Sequence, residues 1–316
     1  MRHIAAIALI FFAFSASAQE EPAPEAAPEG ADGTLVVGVF APRLYFQNSL
    51  ARTSYAHEVA ARLSARTGLA ISGRGFATRA DFDGQVQKGR VQFAVVEAQL
   101  QAERGFMALG QGSAGGTRGR PMVLVVNPGA PAAIGGLKGR TLALVAVGSK
   151  DKAFVMNHLL QGQVPGDWFK TTPARDVQSA LGLVKLGKAD AAFTFAGSTE
   201  GLPVAFQSRP VPLPVFVQTD KTLAPDVVEK VKGALAAAAA PNGVFDGFGA
   251  LDAPALQRLG NDLDGGARSP ETDPLFAGPR SALPPVPEFL DRGLVPVAHP
   301  DPAAGMGLPP PPPDAF

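Results

Sequence analysis

The feature that most constrains the fold is an alternation of buried strands and helices near the start of the chain. The segment TLVVGVF (34–40) is apolar and rich in β-branched residues, which predicts a buried strand. A helix follows, in which Tyr55 and Leu63 share one face. The segments 69–76 and 91–98 are typical of two further strands, with a short helix between them. This β-α-β-α-β order predicts a parallel sheet with helices on its faces.

A similar rhythm returns in the second half of the chain. Apolar patterning there predicts further strands at 120–127, in LKGRTLALVAV, and at 168–173, 189–195 and 212–220, and helices at 152–161, 174–187 and 224–240. The phrase VQKGRVQFAVVEA in the first half is similar to VKLGKADAAFTFA in the second. We therefore expect two similar α/β lobes, each with a mostly parallel sheet and flanking helices.

These patterns give the following organisation for one substrate-binding domain over 34–264. Lobe 1 is expected at about 34–119 and 221–264, lobe 2 at about 128–211, and two crossing strands at about 120–127 and 212–220 as the hinge. Ligands of such sheets lie beyond the carboxyl ends of the strands, and a cleft between two lobes is a natural binding place.

Both ends of the chain lie outside this pattern. Residues 1–18 combine a basic start, a short apolar run and a small-residue boundary, which predicts a signal peptide cut after Ala18. The alternative is an uncleaved membrane anchor, which the shortness of the apolar run disfavours. Residues 19–33 are acidic and rich in proline and alanine, as in disordered linkers, and 265–316 form a proline-rich tail. We expect an exported, soluble periplasmic protein with no membrane insertion after cleavage.

Composition excludes several classes of site. The chain has no cysteine, so disulfides and thiolate metal sites are excluded. Its 28 basic and 28 acidic residues balance, so there is no electrostatic reason to expect nucleic acid as a partner. The sequence implies no cofactor and no metal.

The stretch LALVAVGSKDKAF contains the most informative turn of the chain. A buried strand ends, Gly148, Ser149, Lys150 and Asp151 follow, and a helical pattern begins. Free N–H groups and the helix dipole favour an anion at such a place. An ordinary N-cap by Ser149 or Asp151 explains the same residues. Both readings stay open at this point.

Three stretches together resemble a known family. They are LKGRTLALVAVGSKDKAF, ARDVQSALGLVKLGKADAAFT and LPVFVQTDKTLAPDVVEKVKGAL, and they are similar to the phosphate/phosphite/phosphonate substrate-binding proteins of ABC transporters. The resemblance covers about 34–259 and implies the two-lobed type 2 periplasmic binding fold. It also implies capture of a small, phosphate- or phosphonate-like anion between the lobes, for an ABC permease, by a monomer.

The resemblance also implies ligand-binding residues in both lobes. Ser149 matches the first position of the family's Ser/Thr-rich turn, where Lys150 would add a charge-assisted contact. Asp151 stands where the family has a small or hydroxyl residue, so it would repel an anion unless it caps the helix. In the loop after the first strand, Tyr45 and Asn48 are candidates, the alternative being an exposed loop.

Three further cleft residues are expected. Glu97, at the end of its strand, would face the cleft and suits an ammonium group or a buried ion pair better than a bare phosphate. Thr172 is expected as a cleft hydroxyl. Thr194 stands at the place where the family has a carboxylate that recognises an amino group.

Two other classes of function are possible for such a chain. An enzyme is disfavoured because His57 and His158 lie on predicted helices with few convergent partners, and no nucleophile elbow, metal-ligand spacing or phosphate loop is present. The other alternative is an exported binding-fold protein that acts in sensing or protein interaction without transport.

Overall fold

The chain folds into two lobes, each built on one mixed sheet. The computed structural model describes residues 33–238 and 245–265. The predicted signal peptide, the linker up to residue 32 and the proline-rich tail after Gly265 lie outside the described residues. Lobe 1 is defined here by a six-stranded sheet and lobe 2 by a five-stranded sheet.

The elements of lobe 1 come from both ends of the described chain. They are β1 (Leu35–Phe40), α1 (Ser49–Thr67), β2 (Ile71–Gly75), α2 (Arg79–Gln87), β3 (Phe93–Val96), α3 (Ala98–Arg104), β4 (Met107–Ser113), β10 (Val215–Gln218), α6 (Pro225–Ala234) and β11 (Gly247–Gly249). The strand order is β11-β4-β10-β3-β1-β2. β1 pairs in parallel with β2 and β3, whereas β10 runs antiparallel to β3 and β4.

Lobe 2 is formed by the middle of the chain. Its elements are β5 (Gly119–Val126), β6 (Thr141–Val145), α4 (Asp151–Ala153), β7 (Lys170–Ala174), α5 (Val177–Lys185), β8 (Ala191–Phe195) and β9 (Val204–Pro212). The strand order is β7-β6-β8-β5-β9, with β6 parallel to β7 and β8, and β5 antiparallel to β8 and β9. The chain thus passes between the sheets through 114–118 and again through 213–214.

Close packing of α1 on the first sheet requires a glycine. Asn48 caps α1, its side chain accepting the Ala51 N–H at 2.8 Å, and Tyr55 and Leu63 lie buried on the inner face. At Gly73 a Cβ atom would stand 2.1 Å from the Ala56 carbonyl oxygen. Only a residue without a side chain lets the helix and β2 approach this closely.

The helix that begins at Asp151 changes its hydrogen-bonding pattern after one turn. From Phe154 to Leu159 it is a π-helix, as in the bond from Leu160 N–H to the Val155 carbonyl at 2.9 Å. Widened turns of this kind occur often at functional sites. Here the widened segment carries buried Asn157 and His158 toward the last helix of the chain.

That last helix, α7 (Ala253–Asp264), joins the two lobes. Its Asp262 accepts a hydrogen bond from His158 Nδ1 at 2.9 Å and pairs with Arg209 of β9. It also packs against α3 of lobe 1. Within the described ranges, no helix combines the length and apolarity needed to cross a membrane.

Candidate functional site

The two lobes meet across a buried polar interface. Lobe 1 contributes the loop after β1 and helix α3, and lobe 2 contributes the turn between β6 and α4, from Val147 to Lys150, called the 147–150 turn below. All of these lie next to the carboxyl ends of parallel strands, where a sheet of this kind holds its ligands.

Arg43 is the central cation of the interface. It is 4% exposed, and its guanidinium Nη2 lies 3.3 Å from Asp151 Oδ1 in lobe 2. The guanidinium carbon also lies 3.9 Å from the centroid of the Phe154 ring, a cation–π geometry. Burial lowers the pKa of Arg43, and the carboxylates of Asp151 and Glu97 oppose that effect. Arg43 therefore ties the first strand of lobe 1 to the helix start of lobe 2.

Glu97 lies directly beneath Arg43. Its Oε1 accepts the Arg43 backbone N–H at 2.8 Å, and the residue is 4% exposed. Burial raises the pKa of Glu97, and the nearby Arg43 charge only partly offsets this. The Glu97 carboxyl is thus buried and bonded to the Arg43 backbone N–H within the interface.

Asp151 accepts hydrogen bonds from both lobes. Its carboxylate receives the N–H groups of Val147 and Gly148, each at 3.0 Å. Gln99 of α3 donates to it at 2.8 Å. Together with the Arg43 contact, these bonds satisfy a carboxylate that sits beside the first turn of a helix, where the dipole favours a negative charge.

Glu103 fills the other half of the 147–150 turn. Its carboxylate accepts the Ser149 N–H at 2.9 Å, the Ser149 hydroxyl at 3.0 Å and the Lys150 N–H at 3.1 Å. Burial alone would raise the pKa of Glu103, but hydrogen bonds from Gln99, Ser149 and Lys150 outweigh it and lower the pKa. The N–H groups of the turn bind anions, and these anions are the carboxylates of Glu103 and Asp151 in the same chain.

A small cavity remains beside this interface. It has space for about 20 Å³ and is lined by polar and apolar side chains of both lobes: Arg43, Leu44, Tyr45, Arg120, Thr194, Phe195, Ser198 and Leu213. Arg120 donates one hydrogen bond to the Ala196 carbonyl at 2.9 Å. Within the described ranges no carboxylate lies within ion-pair distance of Arg120. This cavity therefore offers a cation that no carboxylate of residues 33–238 and 245–265 neutralises.

A hydrogen bond between the lobes borders the cavity. Tyr45 bonds to Glu200 of lobe 2, which also pairs with Lys185 at 2.5 Å. The bond to Glu200 is the main reason that the pKa of Tyr45 is raised. Thr194, 1% exposed, donates its hydroxyl to the Ser198 carbonyl at 3.3 Å. Tyr45 and Thr194 are thus the two residues named from the sequence that line the cavity.

The other residues named from the sequence lie in three places. Glu97 and Asp151 are buried in the interface, and Lys150 and Ser149 reach it from a half-buried and an exposed position. Asn48 is the cap of α1 and is exposed. Thr172 lies on β7, the edge strand of the second sheet, opposite Ala143. The ligand contacts expected for all eight remain predictions.

Several residues of the interface were not found from the sequence. Arg43, Gln99, Glu103, Arg120 and Ser198 carry it with the residues named above. Arg43 had a signal, since it is a cation directly after a buried strand. Glu103 had none, because it meets its partners 46 residues away in another lobe.

Comparison with known proteins relates most of the described region to one family. Residues 47–260 match the family model described as "ABC transporter, phosphonate, periplasmic substrate-binding protein". A comparison with curated protein sequences finds no match.

Solved structures show the same fold at low sequence identity. A Xanthomonas citri protein bound to chloride is 16% identical with a TM-score of 0.59, over 73% of this chain and 98% of its own. PhnD1 from Prochlorococcus marinus, in complex with methylphosphonate, is 13% identical with a TM-score of 0.58, over 73% and 98%. A binding component of an ABC phosphonate transporter from Pseudomonas aeruginosa is 15% identical with a TM-score of 0.55, over 73% and 85%.

Proposed function

The chain belongs to the phosphonate-binding family of periplasmic substrate-binding proteins of ABC transporters, and we propose that it captures a small anionic solute in the cavity between its lobes for an ABC permease. The family is the one that the sequence resembles, and its two-lobed fold is the one expected. It is a family of binding proteins, not of enzymes. Export to the periplasm and action as a monomer are part of the proposal.

The observation that carries the proposal is the cavity beside the buried interface. Arg120 lines it without an internal carboxylate partner in the described part of the chain, and Arg43 lies on the same wall. The Ser198 hydroxyl on the same lining can donate to an oxyanion, whereas the hydroxyls of Tyr45 and Thr194 would first have to leave Glu200 and the Ser198 carbonyl. A hydrogen bond from a guanidinium to an oxyanion is charge-assisted and is therefore stronger than one between neutral groups.

The small size of the cavity limits the solute. In this structure the cavity has space for about 20 Å³, which is about one water molecule, so the lobes must part to admit a solute. Two arginines suit one compact oxyanion head group, and the apolar side chains of Leu44, Phe195 and Leu213 would contact a short apolar substituent. Methylphosphonate, which the Prochlorococcus relative holds, has this shape. We therefore propose small phosphonates as the first solutes to test, with phosphate and sulfate beside them.

Calorimetric titration of the exported protein tests this function. Methylphosphonate, phosphate, sulfate and chloride are titrated against the wild type, Arg120→Gln and Arg90→Gln. Arg90 is exposed at the end of α2, so it is a matched control for the loss of one guanidinium. We expect one oxyanion to bind, Arg120→Gln to weaken it about tenfold, and Arg90→Gln to leave it unchanged.

Two results would contradict the proposal. Binding of no oxyanion would favour the alternative in which the fold serves sensing or protein interaction. Equal affinity in Arg120→Gln and the wild type would move the ligand away from this cavity.

A further inference from the structure

The 147–150 turn is fully occupied by carboxylates from the chain itself. Asp151 accepts the N–H groups of Val147 and Gly148, and Glu103 accepts those of Ser149 and Lys150. Asp151 belongs to the same helix start as the turn. Glu103 comes from α3 in the other lobe, so its bonds hold two lobes together.

The Glu103 carboxylate is tightly enclosed. Its side chain is 3% exposed, and Arg79 Nη1 lies 3.7 Å from Oε2. Gln99 donates to Oε1 at 2.7 Å. Oε1 thus receives one donor from each lobe, and Oε2 receives two donors from Ser149 of lobe 2 and lies in ion-pair range of Arg79 of lobe 1. A bound oxyanion is held between two lobes in the same way.

Gly148 shows that the fit depends on a missing side chain. A Cβ atom at this position would stand 2.1 Å from Glu103 Oε1. The backbone φ of Gly148 is not positive, so other residues could adopt its backbone conformation. The glycine is therefore needed for the close approach of Glu103.

We propose that Glu103 is a built-in anion that closes the two lobes on each other and excludes solute oxyanions from the 147–150 turn. An external anion reaches these N–H groups only by displacing Glu103, which breaks a contact between the lobes. Glu103 thus resists opening of the lobes and directs solute anions to the cavity with Arg120. The closure itself does not depend on the proposed solute, whereas the direction of solutes to the cavity rests on the proposed function.

The distance between the lobes tests closure without any solute. The chain has no cysteine, so two introduced cysteines can be spin-labelled without background. Lys88→Cys on lobe 1 and Leu186→Cys on lobe 2 are exposed positions for the labels. We compare the labelled protein without further substitution with its Glu103→Ala and Gly148→Ala variants. The control is Glu229→Ala, which removes a carboxylate that is 70% exposed.

We expect the wild type and Glu229→Ala to give one narrow distance distribution. Glu103→Ala removes the carboxylate and Gly148→Ala displaces it, so both should shift and broaden the distribution. Gly148→Ala keeps every charge, and it therefore separates the loss of the contact from the loss of a charge. An unchanged distribution in both variants overturns the proposal.

Chemical rescue gives a second readout. Formate added to Glu103→Ala should raise its melting temperature and narrow its distance distribution, because formate can replace the lost carboxylate at the N–H groups of Ser149 and Lys150. Formate should leave the wild type and Glu229→Ala unchanged at the same ionic strength. No selective effect of formate on Glu103→Ala overturns the proposal, whatever the oxyanion titrations of the wild type and Arg120→Gln show.

Discussion

Two regions between the lobes gather polar groups, and they differ in how those groups are satisfied. In the 147–150 turn, the N–H groups are bonded to Glu103 and Asp151, two carboxylates of this chain. In the cavity, Arg120 donates one bond to a carbonyl and faces open space without a carboxylate in the described residues.

Convergence of polar groups therefore does not by itself identify a ligand site. Buried donors must be satisfied, and internal carboxylates satisfy them as well as a solute does. The turn has the geometry of an anion site but holds internal anions. The cavity has the less regular geometry but holds Arg120, which has no carboxylate partner in the part of the chain that the structure describes. An assignment of the solute has to follow the unpaired charge.

The largest loss of stability is expected for a substitution of Asp151, and this loss would show that the turn has a structural role. Asp151→Asn removes the charge that compensates Arg43, which is 4% exposed. Breaking a buried pair by neutralising one partner costs about 3–5 kcal/mol in the free energy of unfolding. Asp226→Asn, an exposed first-turn aspartate of α6, is the matched control and should cost less than about 1 kcal/mol. Chemical denaturation measures both.

A loss of similar size in the two variants would contradict the compensation of Arg43 by Asp151. The turn would then be an ordinary helix start, and the contrast with the cavity would disappear.

A smaller effect with a defined pH dependence is expected at Glu97. Burial raises the pKa of Glu97 above its ordinary value of 4.5, so the folded protein binds the proton more tightly than the unfolded chain. Glu97 therefore destabilises the fold increasingly as pH rises above 4.5 toward its folded pKa, and it has no such effect below 4.5. Glu97→Gln keeps an acceptor for the Arg43 N–H. Its melting temperature should therefore exceed that of the wild type by a few degrees as the pH rises above 4.5.

Melting temperatures of both proteins from pH 4 to 8 check this expectation. Glu58→Gln, a partly exposed glutamate of α1, is the control and should show no such divergence. If Glu97→Gln loses stability at neutral pH, the carboxylate is ionised and serves Arg43 as a second counter-charge.

Much of the fold could be predicted because the sequence signals are local. The apolar runs at β1 and β3 and the inner face of α1 with Tyr55 and Leu63 depend on residues close in the chain. β9 was not predicted, because Pro210 and Pro212 are unusual within a strand. Short elements such as α3 and β11 also lacked a periodic pattern long enough to detect.

The candidate site was predicted only where its chemistry lies within one stretch. The 147–150 turn was found since a glycine and a serine interrupt a strand–helix pattern. Its occupation by Glu103 was not, because α3 and the turn meet only through the packing of two lobes. The same holds for Arg120, which belongs to a strand in the sequence and becomes a cavity residue only beside Tyr45 and Thr194.

A still smaller effect on stability, with a clear effect on binding, is expected at the cavity. Tyr45→Phe removes the hydroxyl that bonds to Glu200 and lines the cavity. We expect a loss of less than about 1 kcal/mol in stability, since Tyr45 is only half-buried, and a loss on the order of fivefold in solute affinity. The control is Tyr55→Phe in the only other tyrosine, whose buried hydroxyl has no hydrogen-bond partner among the described residues.

Tyr55→Phe should leave stability unchanged or raise it, and it should leave affinity unchanged, because it removes an unsatisfied buried group. Calorimetric titration and thermal melting measure both variants. A large loss of stability in Tyr45→Phe without a change of affinity would make the cavity a structural joint between the lobes.

The smallest changes of stability and affinity are expected when the Lys150 side chain in the 147–150 turn is removed. Lys150 acts on Glu103 through its backbone N–H, whereas its ammonium pairs with Asp264, whose side chain is 74% exposed. An exposed pair contributes at most about 1 kcal/mol, so Lys150→Ala should cost little stability and leave solute affinity unchanged. Lys152→Ala, an exposed neighbour on the same helix, is the control in the same titration. A loss of affinity in Lys150→Ala but not in Lys152→Ala would mean that the Lys150 ammonium leaves Asp264 for the solute. The turn would then contribute to binding through its side chain although its backbone donors are bonded to Glu103 and Asp151.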